Sequence, residues 1–163
     1  MGSEPDLHQR DIEGRRPSAT GSVSIPVVPD FAGAGRRHLD DAKKLNDDDR
    51  LPNADHLAGL AAECSLKAIL IRGFGVAVGT DGRPTGHAMH GHDLWVKSRI
   101  HVRGRFGSQF FNLLKRSPFN NWGVDQRYDD GAAITALIVD AHLLAADSVT
   151  KMLHQLETTG RLP

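Results

Sequence analysis

The chain has 163 residues, with 20 Lys+Arg balanced by 20 Asp+Glu, and 39% hydrophobic against 25% charged residues. That balance is expected of one globular domain and argues against a disordered chain. A single cysteine, Cys64, excludes an internal disulfide framework and a cysteine-built zinc site.

No apolar run approaches the ~20 residues that cross a bilayer, and the N-terminus carries no signal-like apolar stretch. The expected location is therefore cytoplasmic, with no membrane contact. Charge is unevenly spread. Between Leu94 and Tyr128 the positives Lys97, Arg99, Arg103, Arg105, Lys115, Arg116 and Arg127 face Asp125 alone, whereas acids dominate from Asp30 to Glu63. Either the basic middle presents one face to an anion such as RNA, or the two segments neutralise each other in the fold.

In chain order, residues 1–35 read as an extended tail, rich in proline and glycine and without helical period. Within it Val23-Ser24-Ile25-Pro26-Val27-Val28 fits an edge strand or a docking segment. Residues 36–163 read as the folded unit. A short helix is expected from Arg36 to about Asn46, then a turn at Asp47-Asp48-Asp49. Pro52-Asn53-Ala54-Asp55 opens a long helix with apolar steps at Leu57, Leu60, Ala61, Cys64, Ala68 and Ile71, closed by Gly73. Residues 74–91 form a Gly-rich loop.

His92 begins a helix expected to end near Gly104, although Val96, Ile100 and Val102 also alternate with period two. Phe110–Leu114 is a short amphipathic piece, and a polar loop carries Pro118, Phe119, Trp122 and Tyr128. Ile134, Ile138, Ala141, Ala145, Val149, Met152 and Leu156 mark a long closing helix from Gly131 to about Gly160. The sum is an all-α fold, a four- to five-helix up-and-down bundle.

Three constellations carry potential chemistry. Glu63 and Lys67 stand four apart in an otherwise apolar helix, so the carboxylate needs a cation or donors. Arg127 or His92 fits that need. The result is either a buried strut or a polar functional centre. His87, His90 and His92, with Asp93, suit zinc, copper or nickel in residue type but match no strong metal signature. The competing reading is a capped helix start with solvated imidazoles, and no metal or cofactor is assigned. Around Asn120–Asp129, Trp122 reads as core more readily than as a base-stacking platform. Arg127, at the mouth of a helix, calls for a carboxylate or an anionic ligand.

The stretch Asn53–Leu70, with Ala62-Glu63-Cys64-Ser65-Leu66-Lys67-Ala68 at its centre, resembles the second helix of HEPN domains. His92-Asp93-Leu94 is similar to that family's His-Asp-Leu helix start, and Arg127-Tyr128 to its Arg-Tyr element before the closing helix. The resemblance spans residues 36–158 in the family's order. It implies a helical bundle, commonly a homodimer, among RNA-cleaving toxins, partners of nucleotidyltransferases and subunits of antiviral defence.

The family's ribonucleases use an Arg-x(4–6)-His motif without metal, but here no histidine follows Arg127 until His142. The composite site the resemblance implies is Glu63, His92 and Arg127 as catalytic groups. Lys67, Asp93, Lys97, Arg99, Arg103, Arg105 and Tyr128 would bind substrate RNA. The alternative expectations are a non-catalytic interaction subunit and a metal-binding bundle on His87, His90 and His92.

Overall fold

The structure, a computed structural model, describes residues 29–102 and 108–161. It contains α1 (Phe31–Asp47), α2 (Leu51–Phe74), α3 (Gly91–Val102), α4 (Ser108–Leu114), a short 3-10 helix (Val124–Tyr128) and α5 (Ala136–Thr159). Among the described residues there is no strand, only an isolated bridge between Val78 and Pro84 within the 75–90 loop. None of these helices is long and apolar enough to cross a membrane. The segment expected to form an edge strand, 23–28, lies outside the described residues, as do Arg103 and Arg105.

Each boundary has a local cause. α1 begins at Phe31 rather than Arg36, so residues 31–35 belong to the bundle and not to the tail. The Asp30 carboxylate accepts from the Gly33 N–H at 2.9 Å, which caps the helix. Gly33 and Gly35 suggest a loop, but Gly35 is buried where a Cβ would strike the Ser65 hydroxyl. It is a packing glycine between α1 and α2.

α2 passes Gly73 and stops at Phe74, because the left-handed cap is taken by Gly75 at φ 65°. α5 starts only at Ala136, where Thr135 accepts from the Ile138 N–H. The apolar period at Ile134 is a turn, held by an Ile134 N–H bond to the Gly131 carbonyl.

α2 is the central helix, packed against α1, α3, α5 and the 3-10 helix. Its alanines at 54, 58, 61, 62 and 68 are buried, as are Leu66, Ile69 and Leu70. Cross-helix bonds give the directions. Asp55, Ser65 and Arg72 meet His142, Thr150 and Glu157 in turn, so α2 and α5 run in the same sense. Arg36 pairs with Glu157 and Lys43 with Asp147, so α1 opposes α5.

Glu63 lies beside Gly91 at the start of α3, while Phe74 lies beside His101 near its end. Consecutive helices α2 and α3 thus run the same way, where an up-and-down bundle would alternate them. The 75–90 loop makes this possible by carrying the chain back to the middle of α2.

At the His142 end, Phe119 lies 5.5 Å from Trp95, 6.3 Å from Trp122 and 4.6 Å from His142, ring centroid to ring centroid. Trp122 is buried, as expected of a core residue, and presses on Gly59, where a Cβ would fall within the indole. Gly59→Ala should therefore destabilise by about 1–3 kcal/mol through overpacking. Urea denaturation reads this directly, and an unchanged midpoint would refute the close contact.

Candidate functional site

Glu63 is 7% and Lys67 3% exposed, on the face of α2 that meets the start of α3. A carboxylate this deep must find donors, and it does. Oε1 accepts from Lys67 Nζ at 2.7 Å and from His90 Nδ1 at 2.8 Å, and Oε2 accepts from the Gly91 N–H at 3.4 Å. Lys67 Nζ also stands 5.7 Å from the Phe31 ring centroid. The expected salt bridge forms. It makes Lys67 an internal partner of Glu63 rather than a group that reaches substrate.

The imidazole that joins Glu63 is His90, not His92. His90 enters from the end of the loop that returns to α2, two positions before His92. Its side chain is 48% exposed. With Nδ1–H donated to the carboxylate, Nε2 carries the lone pair and is open to proton exchange. An oriented imidazole with one free nitrogen is the arrangement of a general acid–base group.

His92 and Asp93 are exposed on the first turn of α3. They line a groove of about 770 Å³ with Met89, Val96, Lys97, Arg99 and Ile100. Two of its lining residues, Met89 and His92, flank the His90-Gly91 pair in sequence. Lys97 Nζ donates to the Gly86 carbonyl at 2.5 Å, and the Lys97 and Arg99 side chains are partly exposed. The structure therefore brings His92, Asp93, Lys97 and Arg99 together. Neither Arg127 nor Tyr128 is among the residues that line this groove.

Arg127 does not sit at the mouth of the closing helix. It lies in the 3-10 helix, well before Ala136, exposed, with its guanidinium 4.8 Å from the Tyr128 ring centroid. Tyr128 is exposed and lines a different hollow with Asp129 and Asp130. Neither Arg127 nor His92 bonds Glu63, whose partners are Lys67, His90 and the Gly91 N–H instead. Arg127 acts instead on His56. Burial first, then the nearby guanidinium, holds that imidazole below the ordinary histidine range.

A second polar centre was not anticipated from the sequence. Asp55 and His142 are fully buried. His142 Nδ1 meets Asp55 Oδ1 at 2.7 Å, and Nε2 meets the Pro118 carbonyl at 2.8 Å. Gln126 Nε2 donates to Asp55 Oδ2 at 2.6 Å. A carbonyl only accepts, so Nε2 must be protonated, and a second proton lies between Nδ1 and Oδ1. With both nitrogens engaged and the ring buried, His142 is not placed to exchange protons with a substrate.

Cys64 is equally silent. Burial, reinforced by the Glu63 carboxylate, pushes its thiol up to about 11, and a protonated thiol is no nucleophile.

The three clustered histidines also part. His90 goes to Glu63, His92 to the groove, and His87 is buried against His101. Among the described residues no three His, Cys, Asp or Glu converge as a metal site. Compared with protein-family models, with curated proteins and with solved structures, the chain matches none.

Proposed function

We propose that this chain is a HEPN-like bundle of a toxin–antitoxin or antiviral defence module, acting in the cytoplasm as a metal-independent ribonuclease. Its working centre is then the junction of α2 and α3 rather than the start of α5. The observation that carries this reading is the Glu63–His90 pair, a buried carboxylate holding a half-exposed imidazole that lies in sequence between Met89 and His92 of the cation-bearing groove.

In this reading His90 Nε2 takes the proton of a ribose 2′-OH. The freed oxygen attacks phosphorus, the bond to the 5′ oxygen breaks, and His92 supplies the proton to that leaving group. Lys97 and Arg99 balance the charge on the phosphate. Glu63 positions His90 and does not touch substrate. The products are a 2′,3′-cyclic phosphate and a 5′-hydroxyl end.

The test is RNA cleavage by pure protein in EDTA. We expect cyclic-phosphate ends, and at least a ~100-fold loss of rate on His90→Ala, the scale of a missing general acid–base group. Arg127→Ala should leave the rate nearly unchanged. Absence of cleavage at high protein concentration, or cleavage indifferent to His90→Ala, removes the proposal.

A second reading has its own support. Leu137 and Leu144 are 80% and 69% exposed, seven residues apart and so on one face of α5. A non-catalytic interaction subunit would seat a partner there, either a second copy of this chain as a homodimer or a nucleotidyltransferase. Light scattering on the pure chain separates the two. A monomer that Leu144→Glu leaves unchanged argues against the homodimer.

A further inference from the structure

His87 and His101 meet where the 75–90 loop closes against the last turns of α3. His87 is buried, and its Nδ1 lies 3.0 Å from the Thr85 carbonyl oxygen. Because that oxygen only accepts, Nδ1 holds the proton and Nε2 holds the lone pair. Nε2 points at Nε2 of His101, 3.0 Å away. The ring centroids are 4.8 Å apart with planes inclined at 52°, so the rings meet at a bend rather than in line.

We propose that His87 and His101 form a two-histidine site for a divalent transition metal of the Ni(II) or Cu(II) class. Imidazole is the common ligand for these ions, and a metal-bound histidine typically donates its other N–H to a backbone carbonyl or carboxylate. The Thr85 carbonyl already fixes His87 in that tautomer. At the roughly 2.0–2.1 Å metal–nitrogen distance of imidazole sites, nitrogens 3.0 Å apart subtend roughly a right angle. That matches a tetragonal site better than the wider angle of a tetrahedral one.

The proton count closes without an external acid or base. In the metal-free pair the single ring proton of neutral His101 sits on Nε2 and is donated to His87. Metal binding requires that proton on Nδ1, which it reaches through water, and His87 keeps its Nδ1–H throughout. Two bonds then form, one from each Nε2 lone pair to the ion, and water fills the other positions.

His101 is partly exposed, which gives the ion an entry path. On α3, Lys97 stands one turn before His101. The Lys97 ammonium is itself engaged by the Gly86 carbonyl. A bound ion would staple the loop to α3 on the side of His87, independently of the His90 centre.

Calorimetric titration of the full, tag-free chain with Ni(II) tests the proposal. We expect one ion per chain, and affinity at least about tenfold weaker in His101→Ala, as for loss of a metal-site group. His154→Ala, an exposed α5 histidine, should bind as the wild type does. Ni(II) should also raise the thermal midpoint of the wild type but not of His101→Ala. Far-UV circular dichroism checks that the variant stays helical. Should it not, His101→Gln keeps a polar side chain against His87 and must still lose the ion. No stoichiometric binding, or equal affinity in wild type and the folded His101 variant, overturns the site.

Discussion

Asp55→Ala is expected to cost about 3–5 kcal/mol of folding stability, the range for removing one partner of a buried ionic pair. Against a typical total of about 5–15 kcal/mol, that is enough to leave much of the population unfolded. The size follows from what the carboxylate holds. His142 is wedged between Asp55 and the Pro118 carbonyl, and Gln126 donates to the other carboxylate oxygen. Removing Asp55 orphans a buried ring N–H and a partly buried side-chain amide.

The same network also joins four parts of the chain, namely α2, the segment before the 3-10 helix, the 3-10 helix itself and α5. Asp55→Asn should lie between wild type and alanine. It keeps an acceptor for His142, and Gln126 can turn its unpaired Oε1 toward the new amide. Urea denaturation of the three proteins is the measurement. A loss under about 1 kcal/mol for Asp55→Ala would contradict a structural role of this size.

Glu63→Leu is expected to have a comparable effect, again about 3–5 kcal/mol, because it strands the Lys67 ammonium in the core. Lys67 is nearly inaccessible, and its hydrogen bond is to Glu63. The paired replacement Glu63→Leu with Lys67→Met should recover most of that loss, since apolar pairs of similar volume often equal or exceed a buried salt bridge. The double variant therefore separates two roles. If the carboxylate positions His90 for catalysis, the refolded double variant remains inactive on RNA. If Glu63 is only a strut, whatever activity the wild type has returns with the fold. A double variant as unstable as Glu63→Leu would show that the pair is not energetically coupled.

The helices were legible because their apolar residues recur at three and four positions over long stretches, as in α2 and α5. Boundaries were less so. At the start of α1 two glycines mimic a loop, and only the contact between Gly35 and Ser65 reveals why the helix needs a small residue there. The relative direction of α2 and α3 is a tertiary property of the returning loop, invisible to periodicity.

At the candidate site the sequence marked Glu63 as a buried acid in need of a partner, and Lys67 as one answer. It assigned the wrong histidine. His90 and His92 are two apart, and which one turns inward depends on where the loop ends and the first turn of α3 begins. The Asp55–His142 pair was missed because its members are 87 positions apart. Its one local trace is a histidine on the apolar stripe of α5, which reads as filler until the partner is known.

The ring cluster about Phe119 makes the molecule optically one-sided. Both tryptophans of the chain, Trp95 and Trp122, lie there, so tryptophan emission and the tryptophan bands of near-ultraviolet dichroism report that end alone. Loosening around Glu157, where Arg36 and Arg72 converge, would leave both signals unmoved. A fluorophore placed near Glu157 is needed before any melt of this protein is scored as all-or-none.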